Sequence, residues 1–213
     1  MTLCLSSAEQ TALSDLNAIF LSPYDYEVDA WRSTANRAAR SLLQGDCASF
    51  MLPMNGGLHL YSDEWAADIP NSYPSRVASL DREHGFWSRQ LQAGAWARRG
   101  LFTPAMYRST YYREFVVPVR AFDAVGITIE CSRQKQLAGI LLHHTAPKGR
   151  RFGERGLRIL RLLQPAFAAG VRMQQLLYRQ GLNLAGSIDK VNSPVFLVAR
   201  TGRLLHANAP GAD

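Results

Sequence analysis

The chain has 213 residues, of which 47% are hydrophobic and 19% are charged. This length and composition support one substantial hydrophobic core and exclude a disordered tail. The formal net charge is +7, but the basic residues are spread along the chain, and the densest clusters, Arg98-Arg99 and Arg150-Arg151, are short pairs. This distribution argues against a DNA-binding surface in these residues, because such a surface shows a local basic patch or a recognisable motif.

Cysteine spacing and the amino terminus indicate in which cellular compartment the protein is expected. Cys4, Cys47 and Cys131 are far apart and form no CxxC pair, which argues against both a disulfide framework and a zinc ribbon. The sequence shows neither the features of a signal peptide nor an apolar run long enough to span a bilayer. We therefore expect a cytoplasmic protein that does not bind a membrane.

Two amphipathic helices are predicted first along the chain. Ser7 is a candidate N-cap, and the apolar residues after it recur at helical spacing until Ser22-Pro23 ends the helix. The second helix runs from about Tyr26 to Gln44, with an apolar face opposite an arginine-rich face, and Gly45 closes it.

The next part of the chain predicts a hairpin and then an irregular segment. Residues 48–52 and 58–61 have the character of strands, and Asn55-Gly56-Gly57 supplies the turn between them. Residues 63–102 mix aromatic residues with proline and glycine without a clean period, so we expect a loop with short helices there. Thr103 to Val119 then predicts a short aromatic helix.

Two strands and a long helix follow. Residues 124–131 and 137–144 are rich in β-forming residues and predict a strand pair at the centre of the sheet. The longest helical pattern begins at Phe152 and continues at steps of three and four to Leu177. Its length is typical of a connector or dimer helix, and Pro165 within it should produce a kink.

Two stretches carry a resemblance to a known family. They are the segment from Tyr111 to Pro118 with the strand pair after it, and the segment from Phe152-Gly153-Glu154-Arg155 to Leu160-Arg161-Leu162-Leu163-Gln164-Pro165-Ala166-Phe167. Both resemble the second half of the GAF-like sensor in LuxR-type transcription regulators, which commonly shows a phrase close to F-x-E-R followed by L-x-L-L-x-P-H-L. Gln164 and Ala166 stand where arginine and histidine are commoner.

The last part of the chain resembles the start of a PAS-like domain. Residues 195–208 predict a strand, a turn at Thr201-Gly202-Arg203 and a second strand, and they are similar to the "D-x-x-G-x-x-x-x-x-N" run of that domain, ending at Asn208.

The resemblance implies the fold and the domain organisation. It implies an α+β fold, with a GAF-like antiparallel sheet, flanking helices and a long C-terminal connector helix. Residues 1–178 would form the ligand-sensing domain with its connector helix, and residues 179–213 the incomplete start of the PAS-like segment. In this family a helix-turn-helix domain lies further on, so contact with DNA is expected only through a C-terminal domain that is not in this chain.

No catalytic or cofactor-binding motif is recognisable, since GxSxG, HExxH, the P-loop and GxGxxG after a strand are all missing. The cyclic-nucleotide pattern of some GAF domains and the Cys-His pair for bilin attachment are missing too. His143 and His144 are adjacent on a strand and point to opposite faces, so they cannot easily share a metal ion. We expect neither a metal nor a cofactor, and we interpret Cys47 and Cys131 as small hydrophobic residues rather than redox sensors.

The aromatic residues of the irregular segment are the candidates for a ligand site. In GAF domains such a segment covers one face of the sheet and closes a pocket, and its rings could line a mostly apolar cavity; alternatively they form the core of the loop itself. One of the two adjacent histidines should face the same side, and His143 is the candidate because it is in phase with Leu137, Gly139 and Leu141. The predicted ligand-binding residues are Trp65, Tyr73, Phe86, Trp87, Trp96, Tyr107, Tyr111, Phe115 and His143. Arg108 and Arg113, near these rings, could hold a carboxylate or phenolate group.

These observations predict a ligand-sensing and dimerisation region of a bacterial transcription regulator, not an enzyme. The partners would be a small, aromatic or apolar effector molecule and a second copy of the chain, held through the helix around Leu157 to Leu177. Two alternatives stay open. One is a dimerisation module without a ligand, and the other is a small enzyme acting on an aromatic or acyl substrate, for which the sequence offers no mechanism.

Overall fold

The structure is a computed structural model that describes residues 3–25, 27–54, 57–62, 93–98, 103–118, 120–131, 137–146, 151–198 and 202–212. The chain divides into two compact units, residues 1–172 and residues 173–213.

Two helices open the first unit. The N-cap of helix α1 (Ser7–Leu21) is Ser6 rather than the expected Ser7. Ser6 takes this position because Glu9 lies three residues further on, and the two side chains satisfy each other's backbone N–H groups in a capping box. A 3₁₀ turn (Pro23–Asp25) leads to helix α2 (Val28–Leu43). Gln44 ends α2 in the left-handed conformation at φ 55°, the position that the sequence assigned to Gly45.

A five-stranded antiparallel sheet forms the centre of this unit. Its strands are β1 (Cys47–Met54), β2 (Gly57–Ser62), β3 (Gly94–Ala97), β4 (Asp123–Glu130) and β5 (Leu137–His144). The strand order is β2-β1-β5-β4-β3, and every neighbouring pair is antiparallel. The predicted hairpin β1-β2 and the predicted pair β4-β5 are therefore present, with β5 in the middle of the sheet.

Strand β3 lies within the segment for which the sequence predicted only loop and short helices. It has four residues and, among the described residues, pairs with β4, with Trp96 opposite Gly126 and Ala97 opposite Val125. An edge strand this short shows almost no alternation, so periodicity could not reveal it. Two further short elements follow it, helix α3 (Pro104–Tyr107) and a π-helical turn (Tyr112–Val116), where the sequence predicted one aromatic helix.

The main core lies between the sheet and three helices. Strand residues 48, 50 and 52 of β1 and every second residue of β4 and β5 pack against α1, α2 and helix α4 (Glu154–Ile188). Phe50 is at its centre, with ring centroids 5.1 Å from Trp31 and 5.5 Å from Phe167. This arrangement confirms the predicted α+β architecture of an antiparallel sheet, flanking helices and a long C-terminal helix.

Helix α4 has 35 residues, with Pro165 inside it. Its first turn is tied to the amino terminus of the chain, because the Arg155 guanidinium bonds both oxygens of Glu9 at 2.6 and 2.7 Å and donates to the Cys4 carbonyl at 2.8 Å. Hydrogen bonds from Arg155, from the Ser6 N–H and from the Ser6 hydroxyl lower the pKa of Glu9 to about 2. Further along, Gly170 allows α4 to approach α1 so closely that a Cβ there would overlap the Phe20 carbonyl oxygen.

The second unit contains a hairpin and a short helix. Strands β6 (Phe196–Val198) and β7 (Leu204–Ala207) pair antiparallel, as predicted, and helix α5 (Ala209–Ala212) follows. Asn208 is fully buried and donates to the carbonyls of Ile188, Val191 and Ser193 at 3.2, 2.9 and 2.9 Å. Its amide oxygen accepts from the Val195 N–H at 2.9 Å. This one side chain therefore fixes the turn that joins the helix end to the hairpin.

Among the described residues, no helix has the combination of length and apolar character that crossing a membrane requires.

Candidate functional site

The candidate site lies on the face of the five-stranded sheet that points away from α1, α2 and α4, which we call the distal face. Because side chains alternate along a strand, this face is formed by the residues that the main core does not use. The strand register arranges them in three cross-strand rows. In the order β1, β5, β4, β3 the rows run through Cys47, His143 and Ala124; through Ser49, Leu141, Gly126 and Trp96; and through Met51, Gly139, Thr128 and Gly94.

The middle of the distal face is an apolar floor. Met51, Trp96, Ala124 and Leu141 form a second buried cluster, separate from the main core, and each is at most 8% exposed. The Trp96 ring covers Gly126 so closely that a Cβ on this glycine would lie 2.9 Å from a ring carbon. A glycine opposite an aromatic residue in a neighbouring strand is therefore what lets the indole lie flat on the sheet.

Arg98 lies at one end of this floor, directly after β3. Strand β3 ends at Ala97, which pairs with Val125, and Arg98 is the first residue after the strand. Its side chain is only 3% exposed, and Nη1 donates to the Ala121 carbonyl. Burial lowers the pKa of Arg98, because removal from water disfavours the charged form.

Two tyrosine rings enclose the Arg98 guanidinium. Its central carbon lies 5.9 Å from the ring centroid of Tyr107 and 5.4 Å from that of Tyr112, within the range of cation–π attraction. The two rings meet edge to face, 5.2 Å apart. Arg98 therefore joins the edge of the sheet to the segment that contains α3 and the π-helical turn.

His143 lies in the first row of the distal face, between Cys47 and Ala124. Its pKa is lowered from 6.5 to about 3, first by burial, then by the positive charge of Arg98, and then by His144. The imidazole is therefore neutral at physiological pH and offers one N–H donor and one nitrogen acceptor. The distal face thus combines an apolar floor with a cation and a neutral imidazole at one end.

The structure brings some of the predicted site residues together. Trp96 and His143 lie on the distal face, and Tyr111 is buried, at 1% exposure. Tyr107 is 42% exposed and contacts Tyr112 and Arg98. Phe115 is in the π-helical turn. The other four predicted residues, Trp65, Tyr73, Phe86 and Trp87, lie outside the described residues.

Sequence reasoning did not identify Arg98 as a site residue. It proposed Arg108 and Arg113 as carboxylate binders, and the structure places both on the surface. No local signal marks Arg98, because its surroundings, the Ala121 carbonyl and the rings of Tyr107 and Tyr112, come from a later segment of the chain. In the sequence, Arg98 is visible only as part of the short basic pair Arg98-Arg99.

The opposite face of the same strands holds the beginning of α4. His144, next to His143, is buried and stacks on the Phe152 ring with centroids 4.0 Å apart. The Phe152 N–H donates to the Asp123 carboxylate at 2.8 Å, and Asp123 pairs with His144 in the sheet. His144 Nδ1 also lies 3.6 Å from the carboxylate of Asp46. His143 on the distal face and the residues that hold the start of α4, His144 and Asp123, therefore lie on opposite faces of the same strands.

Within the described residues, no group of three or more histidine, cysteine, aspartate or glutamate side chains is arranged to hold a metal ion. The Cys47 thiol, on the distal face, lies 3.7 Å from the His143 carbonyl oxygen. Cys47 pairs with His143 in the sheet and is 1% exposed, and a buried cysteine usually packs as a small hydrophobic residue.

Comparison with known proteins finds similarity in structure but not in sequence. No family model and no curated protein sequence matches the chain. The ligand-binding domain of VqsR from Pseudomonas aeruginosa is similar with a TM-score of 0.57 at 11% identity, over 81% of this chain and 99% of that one. A phycoerythrobilin-bound GAF domain from a cyanobacterial phytochrome gives 0.51 at 14% identity, over 82% and 100%.

A LuxR family member is similar to a comparable degree. The N-acylhomoserine lactone dependent transcription factor CepR2 from Burkholderia cenocepacia gives a TM-score of 0.50 at 11% identity, over 81% of this chain and 99% of that one. At these identities the likeness concerns the fold alone. The chain therefore has a GAF-like α+β fold, of the kind found in ligand-binding domains of transcription regulators and in photoreceptor GAF domains.

Proposed function

We propose that this chain is the ligand-sensing and dimerisation region of a bacterial transcription regulator of the LuxR type. The effector would be a small molecule with an aromatic or apolar part, and DNA would be contacted by a C-terminal domain that is not in this chain. The observation that carries the proposal is the distal face, where a buried apolar floor ends in a buried cation and a neutral imidazole. This combination of apolar lining and a few placed polar groups is typical of small-molecule sites.

The structural neighbours support the same class of function. VqsR is represented by its ligand-binding domain, and CepR2 is a LuxR family transcription factor that depends on an N-acylhomoserine lactone. In the proposed site the effector contacts the distal face at Trp96 and His143. The remaining lining comes from the predicted aromatic residues Trp65, Tyr73, Phe86, Trp87, Tyr107, Tyr111 and Phe115.

A structural change at the site would be transmitted to α4 through β5. His143 faces the proposed ligand, and the next residue, His144, stacks on Phe152 at the start of α4. Displacement of this strand end by a bound effector would therefore move the first turn of α4. Such a response requires that the effector bind one arrangement of α4 more tightly than the other.

The same helix is the proposed dimer contact, through residues around Leu157 to Leu177. On this helix Leu162, in the first unit, is 53% exposed, and Met173 and Leu176, in the second unit, are 41% and 50% exposed. Residues 1–178 would form the sensing domain with its connector helix, and residues 179–213 the beginning of a PAS-like segment.

Native mass spectrometry of the purified chain tests the proposal. Spectra under gentle and then denaturing conditions should show a dimer and a small molecule that is released when the chain unfolds. If no molecule is retained, a thermal-shift screen with aromatic and acyl metabolites should show stabilisation by at least one of them. An empty dimer that no compound stabilises would support the dimerisation module instead. Turnover of a compound that is lost on His143→Gln would support the enzyme.

A further inference from the structure

We propose that the effector is an uncharged hydroxyl compound, an alcohol or a phenol, and that its hydroxyl group binds the Ser49–Ser62 hydroxyl pair. Its apolar body would lie between this pair and the Trp96 ring on the distal face. This inference rests on the proposed function and names the chemical class of its ligand. It is supported by the hydrogen bonding of the two serines, by the lack of charge among the described residues of the adjacent rows, and by the shape of the apolar floor.

Ser49 and Ser62 form a polar end to the second row of the distal face. They are directly opposite each other in the β1-β2 ladder, so their side chains lie on the same face of the sheet. Their hydroxyl oxygens are 3.0 Å apart, and Ser49 is only 4% exposed. From Ser49 the row continues through Leu141 and Gly126 to Trp96, so the hydroxyl pair borders the apolar floor.

The hydroxyl pair has a hydrogen-bond donor that it does not use internally. Each serine hydroxyl has one proton to donate and can accept two hydrogen bonds. The two hydroxyls share one hydrogen bond, in which either oxygen could be the donor. Within the part of the chain that the structure describes, neither serine side chain makes another hydrogen bond. One proton and several lone pairs are therefore available to a third polar group.

A ligand hydroxyl complements this pair better than other uncharged oxygen groups. It can accept the remaining serine proton and donate its own proton to a lone pair of the other serine, so that three hydroxyls form a closed set of hydrogen bonds. An ether or a ketone oxygen can only accept, and it would make one of these two bonds. We therefore expect an alcohol or a phenol to be preferred.

The rows beside the pair favour an uncharged ligand. Apart from the two serines, the described residues of the second and third rows are apolar side chains, glycines and Thr128, and none of them is ionisable. The buried cation Arg98 follows β3, at the opposite edge of the sheet from Ser62 on β2. A carboxylate or an ammonium group at the hydroxyl pair would lose its water without gaining an opposite charge, which is costly.

The apolar floor sets the size of the ligand body. The Trp96 ring lies over Gly126 on β4, and Met51 Cε would be 3.1 Å from a Cβ at position 139 on β5. Leu141 belongs to the same buried apolar cluster. Neighbouring strands are about 5 Å apart, so about 10 Å separate β4, under the indole, from β1. A single aromatic ring with a short arm, or a medium-length alkyl chain, covers this distance.

A series of compounds on one carbon skeleton tests the inference with the unaltered chain. Isothermal titration calorimetry would compare 2-phenylethanol and 4-ethylphenol with ethylbenzene, which lacks the hydroxyl group. We expect at least one of the two hydroxyl compounds to bind about fivefold to a hundredfold more tightly than ethylbenzene, because it makes two hydrogen bonds. The methyl ether of 2-phenylethanol should bind more weakly than the alcohol, and phenylacetate and 2-phenylethylamine more weakly still.

Variants then assign this preference to the serine pair. Ser49→Ala should bring the affinity of the hydroxyl compound down to that of ethylbenzene and leave the affinity of ethylbenzene unchanged. Ser49→Thr keeps the hydroxyl and should retain a preference for the hydroxyl compound. Ser41→Ala, which removes an exposed serine hydroxyl from α2, should leave the preference intact. The series on the unaltered chain decides the question even where Ser49→Ala does not fold.

Failure of this inference is distinguishable from failure of the proposed function. Ethylbenzene, the ether or phenylacetate that binds as tightly as both hydroxyl compounds would overturn the hydroxyl inference and leave the sensor proposal standing. A molecule that is retained in the mass spectrum but has no uncharged hydroxyl group would do the same. Absence of binding by every probe, together with a chain that carries no small molecule, would overturn both.

Discussion

His143 is a titratable side chain whose charged form the folded structure excludes. Its pKa in the folded chain is about 3, against 6.5 ordinarily. In the unfolded chain the imidazole takes up a proton as the pH falls through 6.5, whereas in the folded chain it stays neutral until about pH 3. Protonation therefore stabilises the unfolded state in this interval, and the free energy of unfolding falls as the pH decreases from 6.5 towards 3.

We predict that His143→Gln weakens this pH dependence. Glutamine keeps a donor and an acceptor but does not titrate here, so the slope that the histidine contributes, at most about 1.4 kcal/mol per pH unit, should disappear. The measurement is urea unfolding of both proteins at several pH values. The difference in unfolding free energy should be constant above neutral pH and should shift in favour of the variant below pH 6.5. Parallel curves over the whole range would contradict a buried neutral imidazole.

Single residues of the site were only partly accessible to sequence reasoning. Strand alternation placed His143 on the face opposite His144, because alternation depends on the local chain alone. Arg98 differs from Arg108 and Arg113 in burial, and burial is decided by the pairing of β3 with β4, which is a contact between distant segments. No local pattern in the sequence carries that information.

Helix α4 depends on a glycine at its contact with α1. The Cβ of an alanine at position 170 would overlap the Phe20 carbonyl oxygen and would lie 3.1 Å from a Trp31 ring carbon. We predict that Gly170→Ala lowers the free energy of unfolding of the first unit by about 1–3 kcal/mol, because backbone atoms cannot move aside as a flexible side chain can.

Gly156→Ala is the matched control on the same helix. There the nearest atom to a new Cβ is Leu43 Cδ2 at 3.9 Å, an ordinary contact. Alanine favours the helix by up to about 1 kcal/mol over glycine, so this variant should be unchanged or more stable. Equal effects of the two substitutions in chemical denaturation would show that helix propensity, and not the close approach of α1 and α4, governs position 170.

The start of α4 is the element through which the proposed signal passes. Phe152→Leu removes the ring that stacks on His144 but keeps an apolar side chain of similar volume. We predict that this variant still binds the effector but shows a smaller effector-induced change in hydrogen exchange along residues 154–172. The reason is that the sheet and the helix then share fewer contacts at this point.

Phe167→Leu provides the comparison for this experiment. Phe167 is a fully buried α4 residue that packs on Phe20 and Phe50, away from the histidine pair. Both substitutions should cost a similar amount of stability, about 1 kcal/mol. If both reduce the exchange response equally, the response reflects general loosening of the core and not the His144–Phe152 contact.

Elements with a strong local signal were predicted well, and elements defined by a partner were not. Helices α1, α2 and α4 have apolar faces that repeat at helical spacing, and strands β4 and β5 are continuous runs of β-forming residues. Helix α4 extends to Ile188, beyond the predicted apolar pattern, because its last turns are mostly exposed and leave no apolar period. Strand β3 can be recognised only from its pairing with β4.

At the scale of the whole molecule, two short motifs were enough to indicate the fold. The segment Phe152-Gly153-Glu154-Arg155 lies after β5 and contains the start of α4, and two of its side chains hold this end of the helix in place. Phe152 is buried under His144, and Arg155 ties α4 to Glu9 at the start of α1. This motif is short, but it contacts the first helix, the central strand and the long helix of the first unit. It therefore helps to determine how these three elements are arranged.

Helix α4 is the proposed contact between two copies of the chain. Leu162 is 53% exposed on this helix, and Leu21, at the end of α1, is exposed to the same extent. We predict that Leu162→Glu raises the dimer dissociation constant at least about a hundredfold, because a carboxylate enclosed in an apolar interface costs several kcal/mol to desolvate. Leu21→Glu should leave it unchanged, since both substitutions add the same charge to a similarly exposed position. Sedimentation velocity over a range of concentrations measures both. A variant pair that dimerises equally well would place the dimer contact elsewhere than on α4, and the effector would then have to act on α4 within a single chain.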